Sequence, residues 1–287
     1  MKRFVILFLF CLVCLIYFPL GCTINSGCSY RQFKEERTDY LTSQVSSGST
    51  LSVETDFGSI TVKGADTAEC KVVADITARA PTQEEAEQIL QQVKVSIVSK
   101  NNDISLNVEK PKLGNNRSVG VSFDITVPEN MNLNCDTSFG TIEIEDIIGT
   151  INADTSFASI ICLNVEGLLH LDTSYGTIDC VNITSGSIEA ESSFGSINIE
   201  CSSSTPPDIK ADIETSYGDI LFETAPGFAG SVTAETSFGN ITTDIPLVVQ
   251  GQVRKDELTG LVGQGSGHLD LRTDFGSIKI EIANPKN

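Results

Sequence analysis

The sequence predicts a mainly β protein, a single-stranded parallel β-solenoid with about 18–23 residues per rung and one helix in its N-terminal part. The first observation behind this prediction is a five-residue phrase that occurs eight times: an acidic residue in seven copies, Thr or Ser, Ser or Asp, Phe or Tyr, and Gly or Ala. The copies begin at Glu54, Asp136, Asp154, Asp172, Glu191, Glu214, Glu235 and Arg272. A period near twenty residues is typical of stacked repeat units.

The second observation is the alternation of side chains within each unit. From Ile151 to Phe157, apolar or small residues alternate with polar ones, which predicts a half-buried strand. A second strand follows the Gly or Ala, with inward positions such as Ile160 and Cys162. Stacking such units about 4.8 Å apart buries one face of each. We therefore expect an interior of Ile, small residues and the Phe or Tyr of the phrase.

The chain begins with an export signal. Residues 1–3 are basic at two positions, residues 4–20 carry no charge, and the ending Leu20-Gly21-Cys22 resembles a bacterial lipobox. We predict a signal peptide over 1–21, lipid attachment at Cys22, and a polar, lipid-anchored tether over 22–36. An uncleaved membrane anchor and an ordinary secretory signal are the alternatives.

An N-terminal β part is predicted over residues 37–118, before the repeat β-solenoid of residues 119–287. Its clearest element is a helix over 82–93, because Thr82 is a good N-cap and Glu85 completes a capping box. We expect this helix to cover one end of the stack, where exposed strand edges need protection. Strands are predicted at 60–63, 70–80, 95–99, 103–109 and 119–127.

The order of these elements resembles one protein family. A Phe-Gly turn, a helix near Glu84, the segment Val121-Ser-Phe-Asp-Ile-Thr-Val-Pro128 and a stack of Thr-Ser-Phe-Gly units together resemble the DUF4097 family of candidate adhesins, over about residues 37–283. The resemblance implies a β-solenoid protein of the bacterial envelope. It implies no catalytic residue.

The charge balance excludes some partners. The chain has 19 Lys and Arg against 38 Asp and Glu, a net charge of −19. Nucleic acid is therefore not expected as a partner, since phosphate contacts need a basic surface. Only His170 and His268 are present, and no Cys-x-x-Cys follows Cys22, so we predict no metal site and no cofactor.

Two groups of repeated residues have a functional and a structural interpretation. Cys162 and Cys180 share one slot, which permits a disulfide or a metal pair. We favour core packing, because Ile144 and Ile199 fill the same slot, and we interpret Cys135 as core too. The repeated acidic residues permit a ladder for Ca²⁺, but a solvated acidic face is the simpler interpretation.

No enzyme is predicted. Lys210 is the only basic residue between 136 and 250, and no nucleophile elbow or phosphate loop is present. We expect an adhesin-like or structural binding protein of the bacterial envelope, an outer-membrane lipoprotein or a cell-surface protein. It would be held to the membrane by its lipid and would present a rigid, repetitive surface to a glycan, protein or other surface.

Two other functions stay open at this stage. One is a regulatory envelope protein that binds a membrane or signalling partner, and the other is a carbohydrate-active β-helix enzyme. The surface distinguishes the three functions. An exposed aromatic row favours adhesion, an apolar patch at one end favours a dedicated partner, and a deep groove with a non-repeating carboxylate pair favours an enzyme.

Overall fold

The computed structural model describes residues 32–100, 103–249 and 254–283, and these residues are mainly β. They form 22 strands and one helix. The mainly β class is thus confirmed. The sheet is mixed, with parallel pairing between the repeats and antiparallel pairing at both ends.

The N-terminal part holds seven strands and the helix. They are β1 (Phe33–Gln44), β2 (Thr50–Phe57), β3 (Ile60–Ala65), β4 (Glu69–Ala80), α1 (Gln83–Gln92), β5 (Lys94–Lys100), β6 (Asp103–Glu109) and β7 (Ser118–Pro128). All five strands predicted between residues 60 and 127 are present. Each observed strand matches or slightly extends the predicted range.

The helix is confirmed, but its capping differs in one respect. Thr82 is the N-cap, and its hydroxyl accepts a hydrogen bond from the Glu85 N–H at 3.2 Å. The Glu85 carboxylate does not complete a capping box; it accepts two hydrogen bonds from Arg117, at 2.8 and 2.9 Å. At the other end, Arg37 donates to the carbonyl oxygens of Leu90 and Val93, both at 2.9 Å. This supplies the positive charge that the last turn of α1 lacks.

The remaining strands carry the repeats. They are β8 (Asn132–Phe139), β9 (Ile142–Glu145), β10 (Ile151–Thr155), β11 (Ile160–Leu163), β12 (Glu166–Thr173), β13 (Ile178–Ser192), β14 (Ile197–Cys201), β15 (Lys210–Thr215), β16 (Ile220–Thr224), β17 (Gly230–Thr236), β18 (Ile241–Thr243), β19 (Val248–Val249), β20 (Glu257–Val262), β21 (Gly267–Thr273) and β22 (Ile278–Ile282).

The repeats build two ladders of parallel strands. The strands that lead into the phrase pair in the order β2, β8, β10, β12, the second half of β13, β15, β21 and β17. The strands that follow the phrase pair in the order β3, β9, β11, the first half of β13, β14, β16, β22 and β18. Residues at the same position of successive repeats lie opposite one another; Ala153, for example, lies opposite Cys135 and Leu171.

Antiparallel strands close both ends of the stack. Beyond β3 lie β7, then β4 and β1, while β6 and β5 continue from β2. Helix α1 packs on β1 and β4. At the other end, β20 and β19 extend antiparallel from β17. The expectation of purely parallel pairing is therefore too simple.

The last two repeats stack out of chain order. β21 lies between β15 and β17, and β22 lies between β16 and β18. The long gap between Glu235 and Arg272 contains β19 and β20, which form antiparallel pairs instead of an additional repeat. The strands β17 and β18 thus do not pair directly with β15 and β16; the later strands β21 and β22 insert between them. The spacing of repeats in the sequence cannot predict this order, because every repeat presents the same kind of strand edge for pairing.

The core between the ladders is formed by the predicted apolar slots. One slot is filled by Ile142, Ile160, Ile178, Ile197, Ile220 and Ile278, all at most 1% exposed. The five cysteines that the structure describes are buried and free, as the core interpretation of Cys162, Cys180 and Cys135 requires. Burial raises the pKa of the Cys135 thiol to about 12, which makes it an inert packing group.

Within the described residues, no helix combines the length and apolar character that crossing a membrane requires.

Candidate functional site

Each phrase forms a corner between the two ladders, and a buried hydroxyl holds it. The Thr or Ser lies at or near the end of its strand, and its side chain points inward and donates to a carbonyl of the neighbouring rung. The pairs are Thr55 to Val121 (3.0 Å), Thr137 to Gly58 (3.1 Å), Thr155 to Gly140 (3.2 Å), Thr173 to Ala158 (2.8 Å), Ser192 to Gly176 (3.0 Å), Thr215 to Gly195 (2.8 Å), Thr273 to Gly218 (2.9 Å) and Thr236 to Gly276 (2.8 Å). This bond fixes the register of every rung against the next.

The last residue of the phrase is Gly in seven of the eight copies, where it permits a close approach of backbones. A Cβ atom built on Gly195 would lie 1.7 Å from the carbonyl oxygen of Gly176. Without a side chain, the backbone can approach the neighbouring corner closely enough for the hydroxyl bond.

The aromatic side chains of the phrase lie on the outside and form one continuous row. Their spatial order is Phe57, Phe139, Phe157, Tyr175, Phe194, Tyr217, Phe275 and Phe238. We call this row the aromatic ladder. Neighbouring ring centroids are 4.6 to 5.1 Å apart, and the planes differ by 2 to 6°.

The predicted interior position of these rings is wrong. They are 44 to 69% exposed. The alternation of buried and exposed side chains stops after the Thr or Ser of the phrase. In six copies the strand also ends there, as β10 does at Thr155, whereas β2 and β8 continue to Phe57 and Phe139, which are exposed as well. The presence of Tyr175 and Tyr217 in this slot was a usable signal. A tyrosine hydroxyl in a dry interior would need a hydrogen-bond partner.

Stacking divides each ring into a covered and a free part. The faces of the inner six rings lie against neighbouring rings on both sides. The exposed fraction therefore belongs largely to the ring edges. The surface offered to solvent is a narrow apolar ridge of edges, which carry the positive end of the ring quadrupole.

The seven repeated carboxylates form a second row, which we call the acidic column. In space it runs Glu54, Asp136, Asp154, Asp172, Glu191 and Glu214, then Arg272, then Glu235. All of these side chains are exposed, as an outward-facing row requires. Over the described ranges, none of the seven carboxylates forms an ion pair.

Crowding affects the protonation of the column. Partial burial raises the pKa of Asp154, and the charges of Asp172 and Asp136 raise it further. The pKa of Glu191 is raised by the same two causes, burial first and then neighbouring carboxylates. The column is therefore a site of unrelieved negative charge.

An open groove of about 540 Å³ lies along the column, and one pair in it does not repeat. His170 and Glu189 line this groove with the acidic column, and their Nδ1 and Oε2 atoms are 2.7 Å apart. The sequence reasoning missed this pair, because neither residue belongs to the phrase. In the part of the chain that is described, no group of three or more His, Cys, Asp and Glu side chains is arranged to hold a metal ion.

The opposite corner of the rung has a different row. Asp146, Asn164 and Asn182 have φ values of 58, 54 and 58°, a conformation that Asn and Asp tolerate well. The Asn164 amide donates to Asp146 at 3.0 Å, and the Asn182 amide donates to Asn164 at 2.8 Å. We call this row the amide corner.

The predicted lipid-attachment residue Cys22, the signal peptide over 1–21 and most of the tether over 22–36 lie outside the described residues. Their assignment stays a prediction.

Comparisons with known proteins give structural neighbours only. No family model matches the chain, and no curated protein matches it. A candidate cell adhesion protein from Clostridium sporogenes is 12% identical, with 85% of this chain and 99% of that chain covered and a TM-score of 0.34. A candidate adhesin from Bacteroides fragilis is 14% identical, with coverage of 85% and 97% and a TM-score of 0.44. A candidate lipid-binding protein from Parabacteroides distasonis is 11% identical, with coverage of 85% and 96% and a TM-score of 0.26. The resemblance to the DUF4097 family stays a prediction.

Proposed function

We propose that this protein is a non-enzymatic, adhesin-like binding protein of the bacterial envelope, and that the aromatic ladder is its binding surface. The observation that carries the proposal is the exposure of eight aligned rings, at 44 to 69% each. Soluble proteins rarely leave a long apolar row in water unless it meets a partner. Aromatic residues are also the side chains most enriched where binding energy concentrates.

The proposal includes a parallel β-solenoid as the support of the ladder. The in-register parallel pairing of the repeats supports this architecture. The buried hydroxyl bonds at every corner also support it, because they tie each rung to its neighbour. A support of this kind would hold the rings in fixed positions, which lowers the entropy lost on binding.

The absence of catalysis belongs to the same proposal. The carboxylates of the groove recur at one position of each rung, so no two of them form a distinct acid–base pair. His170 and Glu189 are the exception, and their side chains are 46% and 60% exposed. We expect His170→Ala to leave binding to surfaces unchanged.

Anchoring at Cys22 would place this surface on the outside of a membrane. The lipobox-like ending Leu20-Gly21-Cys22 supports lipid attachment, after removal of residues 1–21 and ahead of a tether over 22–36. The test is metabolic labelling with a palmitate analogue. We expect label in the wild type and none in Cys22→Ala; unlabelled wild type, or equal label in the variant, would refute the anchor.

The binding surface is tested by adhesion of cells that express the full chain. Retention on polystyrene, mucin and collagen surfaces is compared with that of cells lacking the protein. We expect retention on at least one surface, and a loss of tenfold or more in the triple variant Phe157→Ser, Tyr175→Ser and Phe194→Ser, by the scale of aromatic anchors, about 2 kcal/mol each.

A matched control removes apolar side chains from the same rungs away from the ladder. Leu163, Leu168 and Val181 are 36 to 45% exposed, and changing all three to Ser should leave retention unchanged. Retention no better than that of cells lacking the protein on all three surfaces would overturn the proposal. Equal loss in both triple variants would also overturn it.

A further inference from the structure

We infer that the partner of the aromatic ladder is a cationic amphipathic peptide segment, bound jointly by the ladder and the acidic column. This inference rests on the proposed function, because it takes the ladder as the binding surface. It adds the chemistry of the partner. A basic peptide with apolar side chains has both groups that the two rows require.

The two rows are neighbours along the whole stack. Each phrase places its carboxylate three residues before its ring, so every rung with an acidic residue contributes one of each. At the C-terminal end, Glu214, Glu235 and Phe238 line one open cavity of about 620 Å³. A ligand that follows the ladder is therefore exposed to the field of the column.

The geometry of the rings disfavours sugars as the partner. Sugars bind aromatic residues by placing their C–H groups on the negative ring face. In this row the faces are covered, since successive rings lie 4.6 to 5.1 Å apart and nearly parallel. Ring edges offer apolar contact without a face, which suits flexible aliphatic side chains better than a sugar plane.

The charge of the surface excludes several other partners. Six carboxylates follow one another from Glu54 to Glu214 without a basic residue among them. An anionic lipid headgroup would be repelled, and a second copy would bring two acidic columns together. A cation would relieve the repulsion by Asp172 and Asp136 that, after partial burial, raises the pKa of Asp154.

Two basic residues near the rows are paired with carboxylates, whereas Arg79, which lines a pocket with Phe57 and Phe139, forms no ion pair with the described residues. Arg272, which interrupts the acidic column, pairs with Asp270. Lys110 pairs with Asp56 beside the first ring, at 2.7 Å. The other side of the ladder carries neutral or acidic positions such as Ser59, Thr141 and Asp219. The acidic column is therefore uninterrupted only from Glu54 to Glu214, and the peptide is expected to bind along this part.

The test uses the full chain as expressing cells produce it, reconstituted into phosphatidylcholine nanodiscs, with empty discs as the blank. The probe is an 18-residue peptide of Leu and Lys that is amphipathic as a helix. A peptide of the same composition in scrambled order and a peptide with Glu in place of Lys are the controls. We expect binding of the first peptide only.

Two variants separate the contributions of the rows. The variant with Asp136→Asn, Asp154→Asn and Asp172→Asn should bind about tenfold more weakly at low salt, as three weak surface pairs would predict, and the difference should vanish at high salt. The three-ring variant, with Phe157→Ser, Tyr175→Ser and Phe194→Ser, should lose binding at both salt concentrations. A charge control with Glu35→Gln, Asp124→Asn and Glu143→Gln changes carboxylates on other faces and should bind like the wild type.

The outcomes distinguish the inference from the proposed function. If neither row variant weakens binding, or if the Glu peptide binds as well as the Lys peptide, the inference is wrong. If no peptide binds while the three-ring variant still loses cell adhesion, the partner is of another class and the proposed function stands. If adhesion is also unchanged in that variant, both are wrong.

Discussion

The corner of the phrase and the amide corner both stack side chains of successive rungs on one another, but they use different chemistry. The amide corner stacks Asp146, Asn164 and Asn182 and uses their polar groups on one another. The corner of the phrase stacks rings, with faces against faces and edges in water. Both rows stabilise the stack through like residues in register. Only the aromatic row leaves an apolar surface exposed to solvent, and the proposed binding function rests on this difference.

The largest effect is expected from the glycine that permits the phrase corner. Gly195→Val would place a branched side chain against the backbone of the next rung, whose oxygen lies 1.7 Å from the Cβ position. Ala158 fills this slot in one copy, so a rung can shift enough to admit one methyl group, whereas the larger branched side chain of Val needs a larger shift. We expect a loss of about 3 kcal/mol in the free energy of unfolding.

The control for this variant is Gly186→Val. A Cβ atom on Gly186 meets no atom within 4 Å, so this variant should unfold at the same urea concentration as the wild type. Equal stability of the two variants would show that close stacking does not limit the corner.

The next effect concerns the buried hydroxyl of the phrase. Thr173 is 1% exposed, donates to the carbonyl of Ala158 at 2.8 Å and accepts from the Gly176 N–H at 3.2 Å. Thr173→Val keeps the shape and leaves these groups unpaired, at a cost of about 1–3 kcal/mol. Thr173→Ser keeps the hydroxyl and should lose less in urea unfolding. A larger loss of stability in Thr173→Ser than in Thr173→Val would show that Thr173 stabilises the fold through its methyl group and not through its hydroxyl.

At the amide corner we expect a smaller loss. Asn164→Ala removes two side-chain hydrogen bonds and leaves a residue at φ 54° that lacks a polar group to support that conformation. The expected cost is about 1–2 kcal/mol. Asn164→Gly should recover part of it, because Gly adopts positive φ freely. Adhesion should be unchanged in both variants, whereas a loss of adhesion would extend the binding surface to this corner.

The smallest effect is a gain of stability in the acidic column. Asp154→Asn removes a carboxylate that faces Asp136 and Asp172, and like charges opposite each other destabilise by about 0.2–1 kcal/mol. We expect the melting temperature at pH 7 to rise by about 1–3 °C.

The pH dependence of this gain has a definite sign. Burial and neighbouring charge hold the folded-state pKa of Asp154 above its ordinary value of 3.8, so the folded state binds the proton more tightly. This contribution to stability is present below pH 3.8 and is lost as the pH rises through the raised pKa. The advantage of Asp154→Asn should therefore shrink as the pH falls from 7 to 4. A constant advantage would attribute the gain to packing.

Much of the fold could be predicted from the sequence, because the repeated phrase reports local chemistry. The alternation before Thr155 predicts a strand and an inward hydroxyl, and the slot shared by Cys162 and Cys180 predicts core packing. Thr82 predicts the start of the helix. Each of these depends on neighbours in sequence or on the same position of the next repeat, and so each is contained in the pattern itself.

Only the tertiary structure decided where the rings lie, how the last repeats are ordered, and which groups meet across rungs. Phe157 turns outward because the alternation of inward and outward side chains stops at the corner, and the position of a corner depends on the pairing of the whole ladder. The order of β21 and β17 depends on which free edge the returning chain meets. The sequence determined that like residues stack, since identical units with a period near twenty pair in register; the direction in which a corner points its side chain is a property of the assembled stack.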